Sequence, residues 1–205
     1  MAYYLQLDGV DDYVQHLTPI PLVGHFRIEM KMLIGNTGIG QKILDGAGNE
    51  SSKRLDINLN FFLDLDARTY CRYEVNGEPA TSIPSYDEIF TLSIIRDATE
   101  ADQSDKEIGF IGQRFSGTSR SEMSLYSLDV FDSSGSRVNS LDPSATNGTG
   151  LVLEDTVGGN NGTLVNFPTD DSQWVFYDAG GGGLVITSIA IASACLLYTS
   201  PSPRD

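Results

Sequence analysis

The amino-acid sequence predicts an all-β fold, a two-sheet antiparallel β-sandwich of the jelly-roll type spanning residues 1 to 178. Three observations carry that expectation. Apolar and polar residues alternate with period two along several short runs, and turn-forming dipeptides separate those runs in a chain with 21 Gly among 205 residues. No stretch sustains the three-and-four spacing of a capped amphipathic helix. About a dozen short strands without helices must pack as two sheets, because each sheet has an apolar face to cover.

The strands follow in chain order. Tyr3 to Leu7 is the first. In His25 to Ile34 the residues Phe26, Ile28, Met30, Met32 and Ile34 share one face, while Arg27, Glu29 and Lys31 share the other. A strand with one buried and one wet face follows directly. Leu55, Ile57 and Leu59 alternate in the same way with Asp56, Asn58 and Asn60. Further strands are expected at Tyr70 to Val75, Phe90 to Arg96 and Ile108 to Phe115. Tyr126, Leu128 and Val130 read as an inward set against Ser127 and Asp129, and Gln173 to Tyr177 closes the series. Turns are placed at Asp8-Gly9, Asn76-Gly77, Ser116-Gly117, Ser134-Gly135 and Asn161-Gly162, where positive φ costs little. The Asn-Gly-Thr triplets at 147 to 149 and 161 to 163 are read as turns rather than glycosylation acceptors.

Charge narrows the class of partner. The chain carries 28 Asp plus Glu against 13 Lys plus Arg, a formal charge of −15. Affinity for nucleic acid depends on neutralising phosphates with a basic face, and no Lys/Arg cluster is present. An anionic membrane surface would repel the chain for the same reason. Two cysteines, Cys71 and Cys195, form neither a disulfide framework nor a zinc-ligand spacing. The amino end lacks a basic stretch followed by an apolar core, so no secretory leader is expected.

Residues 195 to 205, Cys-Leu-Leu-Tyr-Thr-Ser-Pro-Ser-Pro-Arg-Asp, resemble the conceptual translation of a sequencing-library adapter. On that reading residues 179 to 194 are a Gly-rich linker, Gly180 to Gly183, and the cut start of a further segment. Leu184 to Ala194 is too short to span a bilayer, which takes about 20 apolar residues. No membrane insertion by the visible chain is expected.

The residues bear on three kinds of chemistry. Paired carboxylates on one strand face can cut glycosidic bonds, and Asp64 with Asp66 is the one alternating pair on an apolar strand. No Glu continues the ladder, so no catalytic residue is assigned; His16 and His25 sit in no nucleophile motif. Calcium is the better fit, because Asp in loops suits a hard cation that takes six to eight oxygens. Asp8, Asp11 and Asp12 crowd the first turn, and Asp178 follows the last strand. These could meet if the first and last strands are neighbours, although Asp at turns also caps backbone amides. Sugar binding would use an aromatic platform. The candidates are Tyr70, Tyr73, Tyr86 and Phe115, with Tyr177 also considered and Trp174 read as core.

The segment Leu-Gln-Leu-Asp-Gly-Val-Asp-Asp-Tyr-Val at 5 to 14 resembles the first strand of laminin G-like, or concanavalin A-like, jelly-roll domains. Phe-Arg-Ile-Glu-Met-Lys-Met at 26 to 32 is similar to the strand that follows in that family. Ile-Gly-Gln-Arg-Phe-Ser-Gly at 111 to 117 and Asp-Thr-Val-Gly-Gly-Asn-Asn-Gly-Thr-Leu at 155 to 164 complete the likeness. The last element comes at the end here, whereas many members carry it first, so the layout looks permuted. This order is similar to modules of phage virion proteins and of marine bacterial surface proteins. The resemblance implies a non-catalytic lectin-like module, with glycans or other virion or surface proteins as partners. Its location would be a virion or an extracellular surface. A purely structural virion domain and a glycoside hydrolase of the same fold are the alternatives.

Overall fold

The computed structural model describes residues 2–35, 41–46, 57–59, 63–65, 71–86, 88–97, 105–113 and 120–177, with the backbone alone for 57–59 and 63–65. In chain order the strands are β1 (Ala2–Asp8), β2 (Tyr13–Leu22), β3 (Phe26–Ile34), β4 (Gln41–Asp45), β5 (Ile57–Leu59), β6 (Leu63–Leu65), β7 (Arg72–Val75) and β8 (Glu78–Pro79). They continue with β9 (Phe90–Arg96), β10 (Lys106–Ile111), β11 (Glu122–Phe131), β12 (Arg137–Leu141), β13 (Val152–Leu153), β14 (Gly162–Val165) and β15 (Trp174–Tyr177). One 3₁₀ turn, Pro143–Thr146, is capped by the Asp142 carboxylate, which accepts from the Ser144 amide.

Two antiparallel sheets form the expected sandwich. One runs β15-β1-β11-β3-β9-β7-β8, with β12 also paired to β11; the other runs β13-β14-β2-β10-β4-β5-β6. First and last described strands are neighbours, with Ala2 opposite Tyr177 and Leu5 opposite Trp174. The core lies between the sheets. Phe26, Ile28, Met30, Met32 and Ile34 of β3 are all buried, as their alternation predicts. Leu92, Ile94, Leu125 and Leu128 from the neighbouring strands β9 and β11, and Leu5 and Leu7 from β1 beyond β11, belong to the same core cluster. Each fully buried side chain of this kind contributes roughly 1.5–3 kcal/mol of transfer free energy.

Turn chemistry is mostly where the sequence puts it. Asn76 (φ 54) and Gly77 (φ 85) close the two-residue hairpin between β7 and β8, the geometry that Asn-Gly favours. Asn161-Gly162 differs from expectation: Gly162 opens β14 opposite His16, and the positive φ falls on Gly159. Gly162 is needed for close approach instead, since a Cβ there would lie 2.4 Å from Val14 Cγ1. The Ser116-Gly117 turn lies outside the described residues.

β2, β4, β12 and β14 are strands that alternation did not reveal. β2 contains Pro19 and Pro21, which argue against a strand on sequence grounds. It is tolerated because its pairing with β10 is broken by a register shift between Ile108 and Phe110, which carries the chain past Pro19.

β11 corrects the predicted inward set. A register shift between Leu125 and Ser127 inserts Tyr126 as an extra residue, so Leu125, Leu128 and Val130 line the core. Tyr126 turns to the outer face. There its ring stands 4.9 Å from those of Tyr4 and Tyr177, with the Lys31 ammonium 5.7 Å above it.

Candidate functional site

The acidic turn between β1 and β2 is where the structure gathers most of the predicted ligand residues. Gly9 (φ +76) makes the turn, and a Cβ there would press on the Glu122 backbone at 3.0 Å. The Asp8 carboxylate accepts from the amides of Val10 (2.7 Å) and Asp11 (3.3 Å), and the Asp8 amide donates to Asp12 Oδ2 (3.3 Å). Asn166 Nδ2 ties the Asp11 carbonyl at 3.1 Å. These bonds hold carboxylate oxygens of Asp8, Asp11 and Asp12 within 4.8 Å of one another. Glu122 sits opposite Asp8 on β11.

Asp12 is 4% exposed, and its pKa is pushed up to about 6. Burial is the largest cause, the negative charges of Asp8 and Asp11 add to it, and the Asp8 amide opposes it. Since the folded pKa exceeds the unfolded one, its stabilising contribution is full at acid pH and is lost as pH rises through about 6. Asp12→Asn is therefore expected to raise stability at pH 7 by about 1–2 kcal/mol, or roughly 3–6 °C, and to leave it unchanged near pH 4. Calorimetry of both proteins across that range checks this.

The fourth predicted ligand, Asp178, lies outside the described residues. β15 runs antiparallel to β1, and Tyr177 lies opposite Ala2, so β15 ends six residues along β1 from Asp8, about 20 Å at strand rise. Among the described residues the acidic turn is a three-carboxylate group.

The aromatic candidates within the described residues, Tyr73 and Tyr86, both pack on the core. Tyr73 is a core residue at 4% exposure, and Tyr86 is partly buried against the same core. Tyr70 and Phe115 lie outside the described residues. Trp174 is core, as predicted, with Nε1 donating to the Gly150 carbonyl at 2.9 Å. Tyr177 joins Tyr4 and Tyr126 on the outer face, a cluster the sequence concealed because the β11 bulge that turns Tyr126 to that face leaves no mark in the alternation. Asp64 pairs with Asn58 in the β5–β6 hairpin, and Asp66 lies outside the described residues.

Two remaining features have structural assignments. In the segment 155 to 164 the Asp155 carboxylate accepts from the amides of Ser140 (2.8 Å), Val157 (3.0 Å), Gly158 (3.0 Å) and Asn160 (2.9 Å), and from Asn139 Nδ2 (2.6 Å). Burial alone would raise its pKa, but the four backbone donors overrule it and hold the group below the usual carboxylate range. His16, 2% exposed, lies opposite Gly162 at the foot of this loop. Among the described residues its ring nitrogens have no hydrogen-bond partner, and burial drives its pKa down to about 4 against the pull of the nearby Asn160 and Asn161 backbone and the Asp155 charge.

At the far end of the sandwich Pro21, Val23, Phe26, Val130, Phe131 and Val138 line an apolar cleft of about 250 Å³. That is below the usual size of a small-molecule site. Asp132 at its rim is engaged by Ser134 and Ser136. Comparison with family models, with curated proteins and with solved structures gives no match for this chain.

Proposed function

We propose that the chain is a non-catalytic, lectin-like binding or adhesion module of a larger phage virion or cell-surface protein, with Ca²⁺ at the acidic turn. The observation that carries this reading is the grouping of Asp8, Asp11 and Asp12 at one end of a rigid sandwich. No described residue forms an ion pair with them. Protein N–H groups use one oxygen of Asp8 and one of Asp12, leaving the others and the Asp11 carboxylate free to meet a cation. A hard cation with six to eight positions would complete its shell with water and with sugar hydroxyls. It would also relieve the repulsion from Asp8 and Asp11 that adds to the effect of burial on the Asp12 pKa. The laminin G-like pattern of residues 5 to 14 supports the same reading, since it ends on this turn.

A glycan array run with and without Ca²⁺ tests the proposal. The expected result is Ca²⁺-dependent binding that falls at least tenfold in Asp11→Asn; no binding under either condition sinks the lectin reading. Ca²⁺ alone should raise the melting temperature of the native chain and have little effect on Asp12→Asn. A structural role as an interaction domain is the second reading, favoured by the uncharged sheet edge formed by β15.

A further inference from the structure

We propose that β15 is a self-association edge, at which two copies of the chain pair antiparallel about a two-fold axis through Phe176 and join their larger sheets into one. The inference does not depend on the lectin reading. Among the described residues each sheet path ends in two edge strands, and exposed edges are normally blunted by charge, proline or shortness. β8 is two residues long and consists of Glu78 and Pro79, both exposed. β13 is two residues, and β6 is three with Asp64 at its centre. β15 is the exception, with four consecutive residues, Trp174, Val175, Phe176 and Tyr177, that carry no charge and no proline.

The hydrogen-bond phase of the strand shows what that edge offers. The Gln6 amide donates to the Gln173 carbonyl at 2.9 Å, which makes Gln6 and Gln173 a hydrogen-bonded pair. In an antiparallel ladder such pairs alternate with non-bonded ones. Val175 with Tyr4 and Tyr177 with Ala2 are therefore bonded across to β1, while Phe176 opposite Tyr3 is not. The Tyr3 amide accordingly turns the other way, to Ser144 Oγ at 3.0 Å. Phe176 must then direct both its N–H and its C=O away from the sheet. One donor and one acceptor on a single residue are self-complementary: two antiparallel copies centred there exchange both bonds.

The side chain fits the same partner. Phe176 is 56% exposed although it stands on the core side of the strand, packed edge-on against Tyr3 at 5.8 Å between centroids. In the two-fold arrangement its copy lies directly across, so two half-exposed rings cover one another. A symmetric pairing uses the edge of both copies and stops at the dimer, and it brings no side-chain charge within β15 opposite another.

Sedimentation of the full chain from about 1 to about 100 μM, the range that captures weak association, tests this. The mass is expected to rise toward twice the monomer and no further, and more readily at high salt, which screens the repulsion between two chains of charge −15. The Phe176 amide should gain protection from hydrogen exchange as the dimer forms. Phe176→Lys places like charges across the axis, and Phe176→Pro deletes the outward N–H while sparing the bonds to β1. Both should weaken association at least tenfold with unchanged tryptophan fluorescence. A wild-type chain that stays monomeric over the range overturns the proposal, as does open-ended growth or a dimer that both variants retain.

Discussion

Asp155→Ala is expected to lower the unfolding free energy by about 4 kcal/mol and the melting temperature by roughly 10 °C, the largest effect of any single polar substitution considered. The carboxylate collects five N–H donors from three places: the 157–160 loop, the Ser140 amide of β12 and the Asn139 side chain. It thereby joins a strand of the larger sheet to the loop that leads into β14 of the smaller one. Hydrogen bonds to a charged acceptor are worth about twice neutral ones, and losing the acceptor leaves buried donors without a partner. Asp155→Asn keeps the shape but turns an amide toward some of those donors, so an intermediate loss of about 2–3 kcal/mol is expected. Chemical denaturation of the three proteins at pH 7 provides the measurement. Equal midpoints for wild type and Asp155→Ala would falsify the role given to this residue.

Acidification of the His16→Leu variant is expected to uncover a pH dependence that the native chain hides. The folded pKa of His16 is depressed to about 4 from about 6.5, so its contribution is fully present above pH 6.5 and is lost as pH falls toward 4. At 1.36 kcal/mol per unit this amounts to roughly 3 kcal/mol. Asp12 acts in the opposite sense over much of the same interval, because its raised pKa makes the protonated folded state the more stable one. The native chain should therefore vary little between pH 6.5 and 4. His16→Leu should grow more stable on acidification, and Asp12→Asn less stable. Below that window Asp155 takes over: its depressed pKa gives stability that is present above about pH 4 and fades as the group is protonated. At pH 7 His16→Leu should be neutral or stabilising, because two buried nitrogens without partners are removed. Melting curves of the three proteins from pH 4 to 7 decide it; parallel curves would contradict the assignment.

Much of the scaffold was legible in the residues. β3 and β9 follow their predicted spans closely, because a strand with one buried face must alternate and β3 alternates without interruption. The Asn76-Gly77 hairpin was readable because both residues accept positive φ. β2 was hidden by its prolines, and the cost of Pro19 is absorbed by a register shift that depends on the partner strand. The candidate site was legible only in part. Asp8, Asp11 and Asp12 are close in sequence and a single turn brings them together. The aromatic residues are scattered along the chain, and proximity in sequence could not sort Tyr73 into the core or Tyr4 and Tyr126 onto the outer face.

The sequence by itself determined the sandwich, the faces of its regular strands and the acidic turn, since period-two burial, turn chemistry and charge are local properties. Tertiary structure alone decided the rest. Pairing of β1 with β15 separates the end of the last strand from the acidic turn, because antiparallel direction is fixed by the partner and not by composition. The bulge in β11 reverses the face of Tyr126, and the donors that converge on Asp155 come from β12 and from its own loop, places that only folding brings within 3 Å. The open edge at Phe176 has the same origin: which backbone groups point outward follows from the phase of a ladder, and a ladder exists only once two strands have met.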